Sequence, residues 1–421
     1  MTEDRLSPEP NIKNQGWRVA FAGLGINLAL GILYTWSVIS RGIPEEWGWT
    51  QSDKSMPYAI ACLIFSLVMV PAGRMQDKLG PRLVATIGGL LVGAGMIIAS
   101  LTTSPMGYII GFGILAGAGI GFGYASATPP AVKWFPAAKT GLIAGIVVSG
   151  FGLASAYAAP LSEWMIKALG LSRTIFLLGI AFLLVVSALA QLLKSPPKGY
   201  IAPGDQPAQS PALGDKKEQF LPREMLRTAQ FYMIWFMYAC GAGAGLMVIS
   251  VAKKIVALEA SETLAVIAVI GLALGNGAGR IIAGIVSDSL GRKVTLFAFF
   301  VCQAVLLVLL SRARGQSVLA SGPALIIITA LVGANYGSNL ALFPAITKDY
   351  YGIKNFGMNY GLVFTAWGVG GFMLAKLAGV MYDKYQTFNV AYYGASALLV
   401  TAAIVTLLLR PPHHTIQAAD L

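Results

Sequence analysis

One arginine lies inside a long apolar stretch of this 421-residue sequence. Arg280 precedes Asp288 by eight residues, which corresponds to roughly 12 Å along a helix axis. A charge so deep in an apolar helix is costly and normally marks the path of a substrate or ion. Because a guanidinium binds a carboxylate through two parallel hydrogen bonds, Arg280 predicts an anionic carboxylate ligand. The alternative is a structural arginine that bonds helix-end carbonyls or Asp288.

A second polar residue shares the helix face of Arg280. Asn276 lies four residues earlier, which is about one turn away. Its amide would share the ligand carboxylate or orient the guanidinium, and an interhelical hydrogen bond is the alternative. Lys376 is the other cation in an apolar stretch, and we expect its long side chain to reach the membrane surface.

No residues with catalytic spacing accompany Arg280. Each Asp and Glu falls in a predicted tail, loop or helix end, and neither a Ser–His pairing nor a metal-ligand cluster occurs. The glycine-rich segments Gly117–Gly123 and Gly241–Gly245 fail the register of a nucleotide-binding loop, so helix packing is the favoured interpretation. We therefore expect no enzymatic activity, no metal and no cofactor.

The composition indicates a lipid bilayer as the surroundings. Hydrophobic residues make up 56% of the chain and charged residues 11%, whereas soluble domains carry about 25% charged residues. A soluble enzyme, a nucleic-acid binder and a disordered scaffold are thereby excluded. Spanning helices need about 20 mainly apolar residues, and we predict an all-α membrane protein with twelve of them. They are Trp17–Ser40, Met56–Gly73, Leu83–Thr103, Met106–Pro130, Gly141–Leu161, Thr174–Leu193, Thr228–Ala252, Leu264–Ser287, Val294–Ser311, Pro323–Ile346, Gly357–Tyr382 and Val390–Leu409.

A proline-rich polar segment separates the first six predicted spans from the last six. We predict a six-helix bundle over residues 1–194, a cytoplasmic linker over 195–224 and a second six-helix bundle over 225–421. If both termini are cytoplasmic, the inner side carries 19 Lys and Arg residues and the outer loops carry 9. Because positive charge accumulates on the cytoplasmic side, this difference favours two cytoplasmic termini.

The two halves contain the same loop motif. Gly73–Arg82 follows the second predicted span, and Gly284–Lys293 follows the eighth. The first Gly, the Asp and the second Gly of the two copies are each 211 residues apart. Two parallel six-helix repeats predict a pseudo-two-fold axis along the membrane normal, as in transporters with a central cavity.

This repeated motif resembles the loop signature of the major facilitator superfamily, and the resemblance covers essentially the whole chain. In that family the glycine permits tight helix packing, and the aspartate caps a helix and pairs with a basic residue. The resemblance implies that these residues lock the two halves together on the cytoplasmic side in the outward-open state. The residues carried over are Gly73, Arg74, Asp77, Gly80, Arg82, Gly284, Asp288, Gly291 and Arg292.

Within the superfamily the chain resembles the monocarboxylate transporters and the oxalate/formate antiporters. The matching segments are Gln15–Arg18, Tyr34–Ser37, Trp134–Pro136 and Leu342–Pro344, together with Arg280, which matches the carboxylate-binding arginine of both groups. Helices one, four, ten and eleven face the central cavity in this superfamily. The resemblance therefore implies that five aromatic residues join Arg280 and Asn276 in substrate binding: Tyr34, Tyr124, Tyr336, Phe364 and Trp367.

The sequence departs from these relatives in three respects. Asn276 stands where monocarboxylate carriers usually have an aspartate, and Ser37 and Val38 stand where they have a lysine. Both family residues are implicated in proton coupling, so the route of the proton is open. Trp367 stands where the oxalate antiporters have a second cation. One central positive charge suits one carboxylate better than two.

We expect a secondary active transporter of small monocarboxylates, such as lactate or pyruvate, that works by alternating access and proton symport. A carboxylate exchanger of the oxalate/formate type is the first alternative. A non-transporting membrane receptor on the same fold is the second. The expected partners are a small carboxylate anion, a proton and the lipid bilayer, without nucleic acid. We expect a monomer in the inner or plasma membrane of the cell.

Overall fold

The protein is an all-α bundle, as the composition predicts. The computed structural model describes residues 14–136, 139–197, 200, 202, 219–352 and 355–412. Within these ranges no strand occurs, and twelve helices are long and apolar enough to cross a membrane. They are α1 Gly16–Arg41, α2 Gln51–Leu79, α3 Pro81–Ser100, α4 Pro105–Val132, α5 Thr140–Leu169, α6 Leu171–Ala190, α7 Ala229–Glu259, α8 Glu262–Leu290, α9 Arg292–Arg312, α10 Gly322–Tyr351, α11 Phe356–Tyr385 and α12 Asn389–Leu408.

The packing of the helices repeats with a shift of six. In the first half α1 packs on α5, α2 on α4 and α3 on α6. In the second half α7 packs on α11, α8 on α10 and α9 on α12. The halves meet where α2 packs on α11, α5 on α8, and α1 on α7. The predicted architecture of two six-helix repeats is therefore confirmed. Most of the predicted linker, 195–224, lies outside the described residues.

The repeated motif lies mainly on helices, which corrects its prediction as two loops. Gly73, Arg74 and Asp77 belong to the last turns of α2, because that helix continues to Leu79. In the second copy, Gly284 and Asp288 lie on α8. The turns themselves are formed by Gly80 and Gly291, both at φ +86° with ψ of 158° and 155°. Only glycine adopts this backbone conformation without strain. Arg82 and Arg292 then lie in the first turns of the following helices.

Helix α1 is interrupted near its middle by a tight 3₁₀ turn, Gly31–Thr35, which sequence reasoning did not predict. The turn lies against α5, where a Cβ atom on Gly31 would come within 2.6 Å of the carbonyl oxygen of Phe151. The close approach of the two backbones therefore requires glycine here. Tyr34 lies within this turn, and such irregular segments inside helices are frequent at functional sites.

Candidate functional site

A narrow cleft lies between the two halves at the middle of the bundle. The side chains that line it are packed so closely that no water molecule fits between them. A ligand therefore enters only when side chains or helices move apart. The cleft is lined by Tyr34, Phe65, Tyr124, Phe151, Arg280, Leu340, Phe364 and Trp367.

Arg280 extends from α8 toward α5 of the other half. Its Nε donates to Oδ1 of Asn276 at 3.2 Å, and its Nη1 donates to the carbonyl oxygen of Val148 at 3.0 Å. Its Nη2 is buried and has no hydrogen-bond partner, and the same is true of Nδ2 of Asn276. None of the ion pairs among the described residues includes Arg280. The Asp288 alternative is therefore wrong, whereas a backbone carbonyl does hold one nitrogen.

A chain of three polar side chains crosses the cleft beside Arg280. The hydroxyls of Tyr34 and Tyr336 share a short hydrogen bond, and Nε1 of Trp367 donates to the Tyr336 hydroxyl at 2.8 Å. Tyr34 belongs to the first half, and the other two residues belong to the second. The Tyr34 and Tyr336 hydroxyls carry one hydrogen each, and the hydrogen bond between them uses one of the two. The second hydrogen stays available to a ligand oxygen.

Aromatic rings surround these polar groups. Phe364 stacks on Trp367 with a centroid separation of 5.3 Å, and Tyr124 makes an edge contact with Phe151 at 5.3 Å. Phe65 of α2 makes an edge contact with Trp367 at 5.0 Å. The rings exclude water from the guanidinium, which strengthens its electrostatic interactions.

The structure brings all seven predicted substrate-binding residues to this cleft or within one hydrogen bond of its lining. Asn276 orients the guanidinium, which is one of the roles the sequence left open. Sequence reasoning missed Phe65, Phe151 and the Val148 carbonyl, because nothing in a uniformly apolar helix marks the face that meets the other half. Lys376 is exposed on α11 and lies outside the cleft. Its Nζ is 5.8 Å from the centroid of the Phe372 ring.

The described residues contain no group of three or more His, Cys, Asp and Glu side chains placed to hold a metal ion.

A family model described as the Major Facilitator Superfamily matches residues 19–255 and 239–420. The chain belongs to the major facilitator superfamily. It is a multi-pass membrane transporter of that group, and its architecture of two repeats agrees with the match.

Named relatives within the superfamily handle carboxylates according to their names. An oxalate:formate antiporter from Oxalobacter formigenes is 28% identical over 358 residues, which cover 84% of this chain and 81% of the relative. Monocarboxylate transporter 11 of Homo sapiens is 23% identical over 401 residues, or 93% of this chain and 82% of the relative. Apicoplast pyruvate carrier 1 of Toxoplasma gondii is 24% identical over 391 residues, which cover 79% of this chain and 69% of the relative.

The two ends of this transporter differ in the ion pairs that join the halves. We name the end that carries residues 14 and 412 the terminal face, and the opposite end the far face. At the far face, Lys253 of α7 forms an ion pair with Glu163 of α5, and Arg41 pairs with Glu262 at 3.0 Å. Each of these pairs joins one half to the other. The far face is therefore closed.

Lys253 lies just beyond the predicted span Thr228–Ala252, and the structure places it inside α7. Helix α7 continues to Glu259, seven residues beyond the predicted end at Ala252, and the Lys253 side chain is only 5% exposed. A buried ammonium requires a paired anion. Glu163 supplies it from α5, which likewise extends past its predicted end.

At the terminal face no ion pair among the described residues joins the halves, although Nη2 of Arg74 on α2 lies 3.7 Å from Sδ of Met358 on α11. A Cβ atom built on Gly73 of α2 or on Gly284 of α8 would meet nothing within 4 Å. Asp77 takes part in none of the ion pairs found among the described residues. Asp288 pairs with Arg292 of its own half at 2.7 Å. The motif residues thus form no ionic bridge between the halves in this conformation.

Proposed function

We propose that this transporter carries small monocarboxylates, such as lactate or pyruvate, across the cell membrane. The observation that carries the proposal is the buried, unbonded Nη2 of Arg280 at a cleft between the two halves. A carboxylate is the partner that matches the planar fork of a guanidinium and neutralises its charge. The names of the relatives support the same substrate class.

The polar groups of the cleft favour one carboxylate with an oxygen on the next carbon. Arg280 supplies a single positive charge, and Trp367 uses its indole N–H on Tyr336. The free hydroxyl hydrogen of the Tyr34–Tyr336 pair would then donate to the hydroxyl or keto oxygen of a 2-hydroxy or 2-keto acid. The stacked rings leave little space for a longer chain.

Transport would proceed by alternating access, with the terminal face on the cytoplasmic side. The ion pairs at the far face, and their absence between the described residues of the terminal face, correspond to an arrangement that is closed on the outer side. Rocking of the halves would break the far-face ion pairs of Lys253 and Arg41 and bring the repeated motifs together. We propose that the protein works as a monomer, because each chain holds both halves of the cleft.

Proton symport is the coupling that we favour. The cleft lining contains no carboxylate beside Arg280, so a proton would travel on the substrate or on an acid at the interface. Glu163, which joins the halves through Lys253, is such an acid. By either route, uptake would rise as the external pH falls.

Exchange is the second candidate, and the similarity to an oxalate:formate antiporter favours it. Uptake of labelled L-lactate into proteoliposomes separates the two modes. Symport requires accumulation under an imposed inward proton gradient without internal anion. Uptake that ignores the gradient but accelerates when a carboxylate is loaded inside would contradict symport and establish exchange. Failure of every small carboxylate to enter would refute both.

A further inference from the structure

The guanidinium of Arg280 lies directly on the backbone of α5 in the opposite half. A Cβ atom built on Gly152 would lie 3.0 Å from Nη2 and 3.3 Å from Cζ of Arg280, and 3.4 Å from Oδ1 of Asn276. Optimal contacts between such atoms are about 3.5–4.0 Å, so the guanidinium occupies the space that a side chain at position 152 would fill. One turn earlier, the Val148 carbonyl holds Nη1 at 3.0 Å.

We propose that Gly152 is a positioning residue for substrate binding. The Cα of Gly152 and the carbonyl of Val148 form a guanidinium platform on α5. The platform supports the plane of the guanidinium and holds Nη1, while Asn276 holds Nε from the side of α8. Nη2 is then left as the unbonded donor at the cleft. This role rests on the proposed function, in which that donor binds the substrate carboxylate.

Neighbouring glycines contact different groups and provide controls. Gly145 lies on the same helix, two turns away, and a Cβ atom there would meet nothing within 4 Å. Gly150 faces the carbonyl of Leu24 inside the first half. Gly277 of α8 faces the side chain of Leu153. The contact with Arg280 is therefore specific to position 152 and is not a general property of the α5–α8 interface.

A methyl group at position 152 would displace the guanidinium without unfolding the helix. The atoms in its way are the end of a long, flexible side chain, which can shift by a few tenths of an ångström. Alanine is also a better helix former than glycine. Gly152→Ala should therefore weaken substrate binding while thermal stability stays the same or rises. If Gly152 served only to pack the helices, Gly152→Ala would instead lower the thermal stability and leave substrate binding unchanged.

Uptake kinetics in proteoliposomes test the role in binding. For L-lactate and pyruvate we expect Gly152→Ala to raise KM about tenfold, as for the loss of one charge-assisted hydrogen bond, with the maximal rate within twofold of the parent. Gly152→Val should raise KM further, and Gly145→Ala should leave it unchanged. An unchanged KM in Gly152→Ala would overturn the proposal.

A second measurement needs no substrate. Melting temperatures of the purified full-length protein are compared for Gly152→Ala alone, Arg280→Met alone and the double variant. With the guanidinium gone, the methyl group meets no obstacle, so we expect Gly152→Ala to raise the melting temperature more in the Arg280→Met background. Equal effects in both backgrounds would refute the platform. If neither lactate nor pyruvate is carried but the effects differ, the proposed substrate is wrong and the platform stands.

Discussion

Arg280 keeps most of its hydrogen-bonding capacity for a ligand. A guanidinium has five N–H donors, and the protein engages two of them, through Asn276 and Val148. A buried, charged donor without a partner is unfavourable. A carboxylate that enters the cleft removes this cost and gains two parallel bonds. The hydrogen bonds to Asn276 and Val148 hold the guanidinium in one orientation, and this orientation sets the side from which the carboxylate binds.

Replacing Arg280 by lysine keeps the charge and removes the fork. We expect Arg280→Lys to lower carboxylate uptake roughly 100-fold, which corresponds to about 3 kcal/mol of lost charge-assisted hydrogen bonding. Arg280→Ala should abolish uptake. Initial rates in proteoliposomes, corrected for inserted protein, provide the measurement. Arg312→Lys, at the exposed end of α9, is the matched control. Near-normal uptake by Arg280→Lys would show that the planar fork is not required.

A second charge in the cleft should change the substrate class. Trp367→Lys places a cation next to Tyr336 and removes the indole N–H that bonds its hydroxyl. We expect lower monocarboxylate uptake and a gain in dicarboxylate binding, measured by competition of oxalate against labelled L-lactate. Trp367→Phe removes the same hydrogen bond without adding charge, and it should show no such gain. Strong oxalate competition in the unmodified protein would contradict the argument from a single charge.

At the scale of helices, α11 of the second half caps α2 of the first. The Asp383 carboxylate accepts hydrogen bonds from the backbone N–H groups of Gln51 and Ser52, both at 2.7 Å. These are unpaired donors at the positive end of the α2 dipole, where a carboxylate is stabilising. Lys254 of α7 adds a bond to the Gln51 side chain at 2.6 Å. The contact therefore joins three helices across the far face.

Removing this cap should favour opening of the far face. Because Asp383 is exposed, we expect Asp383→Ala to weaken closure by only about 1 kcal/mol, or about a fivefold change in the ratio of the two states. The reporter is maleimide labelling of Ser55→Cys, a position buried beneath α11, in a variant without the three native cysteines. Asp53→Ala is the control, since Asp53 caps α2 within its own half through Thr50. Equal labelling in both variants would exclude the proposed effect.

At the scale of the molecule, ion pairs join the halves at the far face, whereas none joins them at the terminal face among the described residues. Contacts that exist in only one arrangement set the balance between arrangements. Glu163 and Arg41 act in the far-closed arrangement. Asp77 takes part in none of the ion pairs among the described residues. We therefore expect Asp77 to stabilise the other arrangement, in which the terminal face is closed.

Neutralising Asp77 should therefore increase the population that is open at the terminal face. We expect faster labelling of Gly357→Cys, which lies in open space at that face, and slower labelling of Ser55→Cys. Asp288→Asn is a less selective change, because it also removes the bond to Arg292 that exists in the present arrangement. Unchanged labelling at both positions in Asp77→Asn would refute the role of the motif in closure.

The number of spans, the repeat and the depth of Arg280 were determined by the sequence alone. Apolar length, a constant offset of 211 residues and the position of a charge within an apolar run are all local properties of the chain. The partners of Arg280 and Tyr34 in the opposite half, the Val148 carbonyl and Tyr336, were decided only by the tertiary structure. They lie 132 and 302 residues away in the chain, on helices of the opposite half. Apolar helices pack through their shape, and the faces that fit together become known only when both halves are folded side by side.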